Sequence, residues 1–217
     1  MKTIIALIFS TLFFISHLSI ANEPDEEEED YYEYRVIQIY SQDELNTLIN
    51  KNKHLQRVKE DDCQLVQDIR AHALKVKEPS YVFLWGDMLA WGVCVDRDAK
   101  LGMHYIREAA QQGLLAAIEQ LGRYYNNGTL VSKDKNRAVK YFREAALQGH
   151  LAAQINYIKL LNEGYGSPYD YEDAYRALFN SVIESPRLNQ QAQLALAKLS
   201  QKMPGYAIQR ARTNHSY

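Results

Sequence analysis

The sequence has little proline, glycine or cysteine, and it contains one long apolar run. Its 217 residues include five prolines, ten glycines and two cysteines. So few prolines and glycines exclude a collagen-like or linker-dominated chain. Apolar residues make up 47% of the chain and charged residues 24%, which is the balance of an ordinary globular protein. The length suits one sizeable domain with appendages.

The sequence also lacks recognisable catalytic and metal-binding motifs. It contains no nucleophile elbow, no His-Glu-x-x-His and no glycine-rich phosphate loop. The histidines beyond the first apolar run are dispersed, at His54, His72, His104, His150 and His215. Because reacting groups must converge, these histidines are predicted to be ordinary helix or surface residues. We therefore expect no catalytic residue, no metal and no cofactor.

Clustered basic residues are missing as well. The formal net charge is −2, and the lysines and arginines are scattered along the chain, so a nucleic-acid partner is not indicated. Acidic charge, by contrast, is concentrated in one place: seven of the eight residues from Glu23 to Asp30 are Asp or Glu. Such a run cannot bury apolar surface and repels itself. Residues 22–33 are therefore predicted to form an extended, solvated arm.

The apolar run at the start of the chain is typical of a secretory signal. Lys2 is followed by an almost purely apolar stretch from Ile4 to Ile15, and Ser19-Ile20-Ala21 forms a small-x-small cleavage site. The alternative is a retained membrane anchor, but the stretch is shorter than the ~20 residues that a spanning helix needs. The sequence predicts cleavage of residues 1–21, export, and no transmembrane segment in the mature chain.

Export places both cysteines in an oxidising compartment. An even number of cysteines there suggests one disulfide, between Cys63 and Cys94. Zinc would need further ligands, and no Cys-x-x-Cys or His-x-x-x-His spacing accompanies either cysteine. Free buried thiols and a reactive thiol remain alternatives to the disulfide.

Three tyrosines follow the acidic arm, at Tyr31, Tyr32 and Tyr34. Aromatic rings beside a charged arm can bury area on docking, so these tyrosines are candidate partner-binding residues. The alternative is that they pack on their own domain. The segment 35–40, which comes next, is β-branched and aromatic and resembles one short strand. It either runs extended along the domain or pairs with a partner's edge.

Two helices are predicted before residue 79, within an N-terminal extension over 34–78. Ser41 and Glu44, three residues apart, form a capping box that opens the first helix, and Leu45 and Ile49 lie on its apolar face. A second helix is predicted from about residue 61 to 75, with Cys63 on it at helical spacing from the following apolar residues.

The rest of the chain repeats itself. Residues 86–117 align with residues 122–153 without a gap, at a shift of 36. The matches include the run Arg107-Glu108-Ala109-Ala110 with Arg143-Glu144-Ala145-Ala146. Agreement at one fixed offset is typical of a solenoid built from stacked units.

Each matching column has a packing explanation. One helix of each unit is predicted to end at Gly92 or Gly128 in a left-handed conformation. Asp96 or Ser132 is predicted to cap the next helix, which runs to Gly113 or Gly149. Small residues let helices approach closely, while tyrosines fill wider gaps. The predicted repeat-structural residues are Gly86, Gly92, Gly113, Gly122, Gly128, Gly149, Ala109, Ala110, Ala145, Ala146, Tyr105 and Tyr141.

This pattern resembles the Sel1-like repeat, a helical-hairpin relative of the tetratricopeptide repeat. The resemblance rests on Leu121-Gly122-x-x-Tyr125, Asp134-x-x-x-Ala138, Tyr141-Phe142 and Ala145-Ala146-x-Gln148-Gly149. It implies an all-α solenoid with a concave protein-binding surface. A third, divergent unit and a capping helix over 188–200 complete a repeat domain at 79–201, and residues 202–217 are predicted to be a tail.

The extension and the repeats together resemble the MotX family. The segments that carry this likeness are Tyr40-Ser41-Gln42-Asp43-Glu44-Leu45, Asn52-Lys53-His54-Leu55 and Asp61-Asp62-Cys63-Gln64-Leu65-Val66-Gln67-Asp68-Ile69. The resemblance implies a periplasmic scaffold of the sodium-driven polar flagellar motor, in the T ring beside the basal body. It also implies MotY and the stator subunit PomB as partners. A general envelope adaptor and a secreted β-lactam-binding enzyme remain alternatives.

Overall fold

The computed structural model describes residues 39–213, and every regular element in that range is helical. The α-helices are α1 Gln42–Asn50, α2 His54–Glu60, α3 Val66–Ala71, α4 Pro79–Trp91, α5 Ala99–Gln111, α6 Leu115–Asn127, α7 Lys135–Leu147, α8 Leu151–Asn162, α9 Tyr171–Phe179, α10 Pro186–Ser200 and α11 Gly205–Arg212. A π-helical turn, His72–Val76, extends α3, and a 3-10 turn, Pro168–Asp170, precedes α9. The all-α prediction is confirmed for the described residues.

Helices α4 to α9 form three antiparallel hairpins that stack in chain order. Helix α4 packs on α5, α6 on α7 and α8 on α9, and each hairpin contacts the next. Helix α10 then packs on α8 and α9, while α11 packs on α9. This arrangement is a helical solenoid, in which each unit buries its apolar face against its neighbours.

Helix α4 is the most deeply buried element. Every residue from Ser80 to Ala90 is buried, because α5 covers one side and the N-terminal helices cover another. A helix that is apolar all round needs cover on all sides. The N-terminal extension provides this cover at the first repeat.

Helix α1 begins where the capping box predicts. The Ser41 hydroxyl accepts a hydrogen bond from the Glu44 backbone N–H at 3.1 Å, and Leu45 and Ile49 are buried. The backbone N–H of Tyr40, just before α1, donates to the Tyr81 hydroxyl at 3.0 Å. That hydroxyl donates in turn to the Tyr40 carbonyl, which fixes the start of the extension to α4.

The predicted second helix over 61–75 is wrong in its first five residues. Residues 61–65 form a turn, α3 begins at Val66, and a separate helix, α2, precedes the turn. Asp62 and Cys63 have φ of 53° and 59°, which is a left-handed conformation that a helix cannot include. The apolar spacing is helical, but the turn carries Cys63 to its disulfide with Cys94.

The predicted ends of the repeat helices need one correction. Helices α4 and α6 do end at Gly92 and Gly128, with φ of 67° and 78°. The next helices, however, are capped by Asp98 and Asp134, two residues beyond the predicted Asp96 and Ser132. The carboxylate of Asp98 accepts from the Leu101 backbone N–H at 2.9 Å, which satisfies a donor that the helix itself cannot.

Glycines set the spacing between the two helices of the first hairpins. A Cβ added at Gly86 would lie 2.9 Å from the Gly102 carbonyl oxygen, and one added at Gly122 would lie 2.6 Å from the Phe142 ring. A Cβ at Gly102 would lie 2.5 Å from the Ala90 backbone nitrogen. Two glycines therefore face each other between α4 and α5.

The C-terminal part is more ordered than predicted. Helix α10 begins at Pro186, close to the expected capping helix, and its N-cap is Ser185. The supposed tail over 202–217 contains a helix, α11, with Ala207 and Ala211 buried. Arg210 forms two hydrogen bonds with Glu172 of α9. The apolar pattern of α11 is too short to indicate a helix from sequence, because only one narrow side of this helix is buried, against α9.

Several predictions concern segments outside the described residues. These are the signal, residues 1–21, the acidic arm, residues 22–33, the candidate partner-binding residues Tyr31, Tyr32 and Tyr34, and His215. Most of the predicted strand, residues 35–40, lies there too. Its last two residues, Ile39 and Tyr40, are described and are not part of a strand.

No helix within residues 39–213 is long and apolar enough to cross a membrane. Over the same residues, no group of three or more His, Cys, Asp and Glu side chains is placed to hold a metal ion.

Candidate functional site

The first helices of the successive hairpins form one continuous surface, which we call the A-helix face: the side of α4, α6, α8 and α10 that the second helices α5, α7 and α9 do not cover. Helices α4, α6 and α8 begin 36 residues apart, so equivalent positions recur at that spacing. One such column holds Asp87, Arg123 and Lys159. This column is charged in every unit, although most of α4 around it is apolar.

Asp87 is the centre of a buried hydrogen-bond network. It is 1% exposed, and its two carboxylate oxygens contact the His54 Nε2 at 2.7 Å and the Tyr124 hydroxyl at 3.1 Å. Burial, followed by the nearby Asp87 charge, raises the pKa of Tyr124. The Tyr124 hydroxyl therefore stays protonated and donates to Asp87.

Two further side chains complete this network around Tyr124. Gln120 Nε2 and Trp91 Nε1 donate to its hydroxyl oxygen at 2.6 Å and 3.1 Å. The network thus joins α2 of the extension to α4 and α6. Within it, both Asp87 oxygens and the Tyr124 hydroxyl are hydrogen-bonded, whereas His54 Nδ1 is buried without a hydrogen-bond partner in the described part of the chain. The shared bonds hold the three elements in one relative position.

The N-terminal extension lies along the A-helix face beyond this network. The Ser80 hydroxyl in α4 donates to Asn46 Oδ1 at 2.6 Å. Farther along, Asn50 at the end of α1 lies 3.4 Å from His150, the N-cap of α8. The extension therefore contacts the first and the third hairpins, whose contacting residues are up to 100 positions apart in the sequence.

His150 has a geometry that requires a neutral ring. Its Nδ1 accepts a hydrogen bond from the Ala153 backbone N–H at 3.3 Å, so this nitrogen carries no proton. Its Nε2 can then donate to Asn50. Burial, and secondly the charge of Arg123, lower the pKa of His150 to about 4.

A second polar cluster surrounds Glu119 in α6. This carboxylate is buried, and it accepts hydrogen bonds from Arg123 Nε at 3.0 Å and from Asn156 Nδ2 at 3.1 Å. Burial raises the pKa of Glu119, whereas Arg123 and Asn156 oppose that rise. The cluster links α6 to α8 and holds the Arg123 guanidinium at the surface.

Two cavities open on the A-helix face. The first, about 290 Å³, is lined by Asn52, Leu55, Asp87, Trp91, Gln120, Arg123, Tyr124, Asn127 and Thr129. The second, about 360 Å³, is lined by Lys159, Asn162, Glu163, Gln191, Leu194, Ala195 and Lys198. Burial lowers the pKa of Lys159, which donates to Gln191 at 2.8 Å.

A larger, open groove of about 840 Å³ lies away from this face, at the loops before α7 and α9. It is lined by residues that include Tyr125, Lys135, Arg137 and Tyr165. Arg137 stacks over the Tyr125 ring, and Lys135 binds Glu163. Two of the three cations that line this groove, Lys135 and Arg137, are thus already engaged with neighbouring side chains, whereas the third is Lys133.

The predicted repeat-structural residues lie in and around the helix packing. Ala109 and Ala145 are fully buried, and Ala146 is 5% exposed. Tyr141 is half-buried and stacks on Tyr125 with ring centroids 5.6 Å apart. Tyr105 is also half-buried, beside the buried core. Gly113 and Gly149 follow α5 and α7 with φ of 89° and 87°.

Cys63 and Cys94 form a disulfide, with Cα atoms 5.5 Å apart. It joins the turn after α2 to the loop between α4 and α5. Together with the His54–Asp87 contact, it attaches the extension to the first hairpin at two separate points.

Comparison with known proteins agrees with this architecture. The Sel1 repeat model matches residues 80–114 and 115–150, which correspond to the first two hairpins. The sodium-type polar flagellar protein MotX of Vibrio parahaemolyticus serotype O3:K6 is 54% identical over 176 residues, covering 81% of this chain and 83% of that protein. The chain belongs to the MotX family. The likeness extends well beyond the repeats, since the Sel1 match alone accounts for only residues 80–150.

One solved structure shares the fold of this MotX-family chain. The protective antigen c5321 of uropathogenic Escherichia coli, described as displaying an SLR fold, has a TM-score of 0.51 at 23% identity. The match covers 67% of this chain but only 31% of the antigen. A Sel1 repeat protein from Oxalobacter formigenes, at 24% identity, has a TM-score of 0.49, covering 75% of this chain and 85% of that one.

Sequence reasoning missed the polar residues of the A-helix face in this MotX-family chain. A signal was available, because Asp87 is the only charged residue in α4 and recurs as Arg123 and Lys159 at the repeat spacing. The alignment of the repeats matched identical residues, whereas this column has a different residue in each unit. A search for columns that keep polarity rather than identity would have found it.

Proposed function

We propose that this chain is a non-catalytic scaffold of the sodium-driven polar flagellar motor. In this proposal it acts in the periplasm as a T-ring component, beside the basal body, and links that body to the stator. The observation that carries the proposal is the 54% identity to MotX over most of both chains. MotY and the stator subunit PomB are the proposed partners, through the family resemblance.

The architecture supports a scaffold role. Stacked helical hairpins offer extended surfaces for other proteins, because each repeat contacts only its neighbours and leaves a long side of the array open. The disulfide and the Asp87 network add rigidity where the extension meets the repeats. A stator can push against a rotor only if its anchor does not yield, so rigidity suits this role.

The histidine–carboxylate pair with the shortest separation among residues 39–213, His54 with Asp87, also favours a non-catalytic role. His54 lies 2.7 Å from Asp87, as a general base and its orienting carboxylate would. However, His54 is 2% exposed, and its ring centroid lies 5.4 Å from that of the tilted Phe83 ring, so no substrate can approach it. The pair is better explained as a structural bond between α2 and α4.

A deletion strain with a fluorescently tagged stator tests this function. We expect assembled filaments that do not rotate and loss of polar stator foci, because the stator is no longer captured around the basal body. Re-expression of the wild-type chain should restore both foci and swimming. Normal foci together with normal swimming would exclude the motor role and leave the general envelope adaptor. Hydrolysis of a β-lactam by the pure protein would instead support the enzyme alternative.

A further inference from the structure

The A-helix face carries cations whose hydrogen-bonding capacity is only partly used. Arg123 donates to Glu119 through Nε. Its two terminal nitrogens have no hydrogen-bond partner among residues 39–213. Lys159 makes one hydrogen bond, to Gln191, although an ammonium group offers three donors. The Lys198 ammonium group, beside the second cavity, makes no hydrogen bond to any side chain or carbonyl among residues 39–213.

Few carboxylates balance these cations. Glu119 is buried and already bound by Arg123 and Asn156. Glu163 lines the second cavity with a half-exposed side chain, and it is paired with Lys135. Asp87 is enclosed by His54 and Tyr124. Arg123, Lys159 and Lys198 therefore outnumber Glu163, and the net accessible charge along α6, α8 and α10 on this face is positive.

Apolar and amide groups lie beside each cation. In the first cavity Trp91 is 43% exposed, and Asn52 and Asn127 lie at the rim. In the second cavity Leu194 is 58% exposed, next to Gln191. An exposed apolar wall beside a cation and an amide suits a peptide that presents a carboxylate, an apolar side chain and its backbone.

We propose that the A-helix face from α4 to α10 binds an extended acidic segment of a protein partner. Arg123 and Lys159 each bind one carboxylate, Trp91 and Leu194 contact apolar side chains, and the amides bind the peptide backbone. Packed helices lie about 8 to 10 Å apart. A chain in the extended polyproline II conformation rises about 3.1 Å per residue with three residues per turn, so every third side chain points to the same side. The two carboxylates should therefore be about three residues apart in the partner.

This inference deepens the proposed scaffold role and rests on it for its biological meaning, but the binding surface itself can be tested with pure protein. The probe is a fluorescent twelve-residue peptide with Glu at every third position. Leu residues lie between the Glu residues, and Ser and Gly fill the remaining positions. One control peptide has Gln for each Glu. A second has the same composition with all Glu residues adjacent.

The key variant is Arg123→Gln with Lys159→Gln. Its matched control is Lys100→Gln with Lys140→Gln, which removes the same charge from exposed positions on α5 and α7. Because Arg123→Gln also leaves Glu119 without its cation, Lys159→Gln with Lys198→Gln serves as a second variant. Melting temperatures establish that each variant is folded.

We expect the wild type to bind the spaced Glu peptide and to bind both control peptides at least about tenfold more weakly, since charge-assisted hydrogen bonds need both charge and position. Both A-helix-face variants should bind the spaced Glu peptide at least about tenfold more weakly than the wild type. The affinity of the Lys100/Lys140 control should stay within about twofold of the wild type. Equal losses in all variants, no preference among the peptides, or no binding by the wild type would each overturn the proposal.

The two proposals fail separately. A deletion strain that swims normally would remove the motor role but leave measured peptide binding intact. A non-motile deletion strain combined with peptide binding that ignores Arg123 and Lys159 would keep the motor role and remove this docking surface.

Discussion

At the scale of single residues, glycines decide how closely the paired helices approach. Gly102 faces Gly86, and a Cβ at Gly102 would lie 2.5 Å from the backbone of α4. Backbone atoms cannot rotate away as a side-chain tip can. The repeat comparison missed Gly102, because the equivalent position in the next unit is Ala138.

Gly102→Ala should therefore destabilise the protein. Alanine in a helix gains about 1 kcal/mol over glycine, but overpacking of a rigid contact costs typically about 1 to 3 kcal/mol and forces α4 and α5 apart. Thermal melting should show a lower transition temperature. Gly205→Ala is the control, since nothing lies within 4 Å of its added Cβ. Unchanged melting of Gly102→Ala would mean that the two helices separate easily.

Another single residue, His150, should make stability depend on pH. Its pKa is about 4 in the folded chain, against an ordinary value of 6.5. Between these two pH values, the unfolded chain binds a proton at His150 and the folded chain does not. The free energy of unfolding should therefore fall as the pH falls from about 6.5 to about 4. Protonated Nδ1 also cannot accept from Ala153.

His150→Asn separates this titration from the cap. Asparagine is a good N-cap and does not titrate. Urea unfolding at pH 7, 5.5 and 4.5 should therefore show a smaller loss of unfolding free energy in the variant than in the wild type. His104→Asn, at an exposed site, should behave as the wild type. Equal pH slopes in all three proteins would contradict the assignment.

At the scale of elements, the N-terminal extension is as much a part of the fold as the repeats are. Its helices cover α4, and Leu45, Val58 and Ile69 contribute to the same buried cluster as α4 and α5. A solenoid needs a cap at each end, because a terminal unit otherwise exposes apolar surface. The extension is the N-terminal cap.

Loss of the disulfide should loosen this cap. Cys63→Ser and Cys94→Ser remove a link across 31 residues, which in the chain-entropy model lowers stability by about 3 to 4 kcal/mol. Both variants should melt at the same lower temperature, close to that of the reduced wild type. Two reactive thiols in unfolded, non-reduced wild-type protein would show that the bond does not form.

At the scale of the whole molecule, two buried clusters run along the solenoid and meet at α6. Ala117, Leu121 and Tyr124 of this helix belong to the N-terminal cluster, whereas Ile118 and Tyr125 belong to the C-terminal one. Stacked repeats interact mainly with their neighbours, so local stability should vary along the chain.

Hydrogen exchange should reveal a gradient of local stability. The N-terminal end has a covalent link and the Asp87 network, whereas α11 is held by side-chain contacts such as Arg210 with Glu172. We expect the strongest amide protection in α4 to α6 and the weakest in α10 and α11. Reduction of the disulfide should weaken protection in α1 and α2 and leave α11 unchanged. Uniform protection along the chain would indicate one all-or-none unit instead.

The sequence by itself determined the repeats. Packing between neighbouring hairpins needs small residues and left-handed helix ends at fixed intervals, and these requirements repeat every 36 residues, so Gly92 and Gly128 or Ala109 and Ala145 recur in register. The first helix was equally readable, because a cap such as Ser41 with Glu44 acts over only three residues. Such local or periodic causes leave a trace in one sequence.

Only the tertiary structure decided what covers the repeats. Apolar spacing from Cys63 onward indicated a helix, but the chain turns there to bring Cys63 to Cys94. Likewise, no spacing rule connects His54 with Asp87, or Asn50 with His150. Periodicity reports which side of a helix is buried and not what buries it, because the burial partner is selected by shape and hydrogen bonding between segments far apart in the chain.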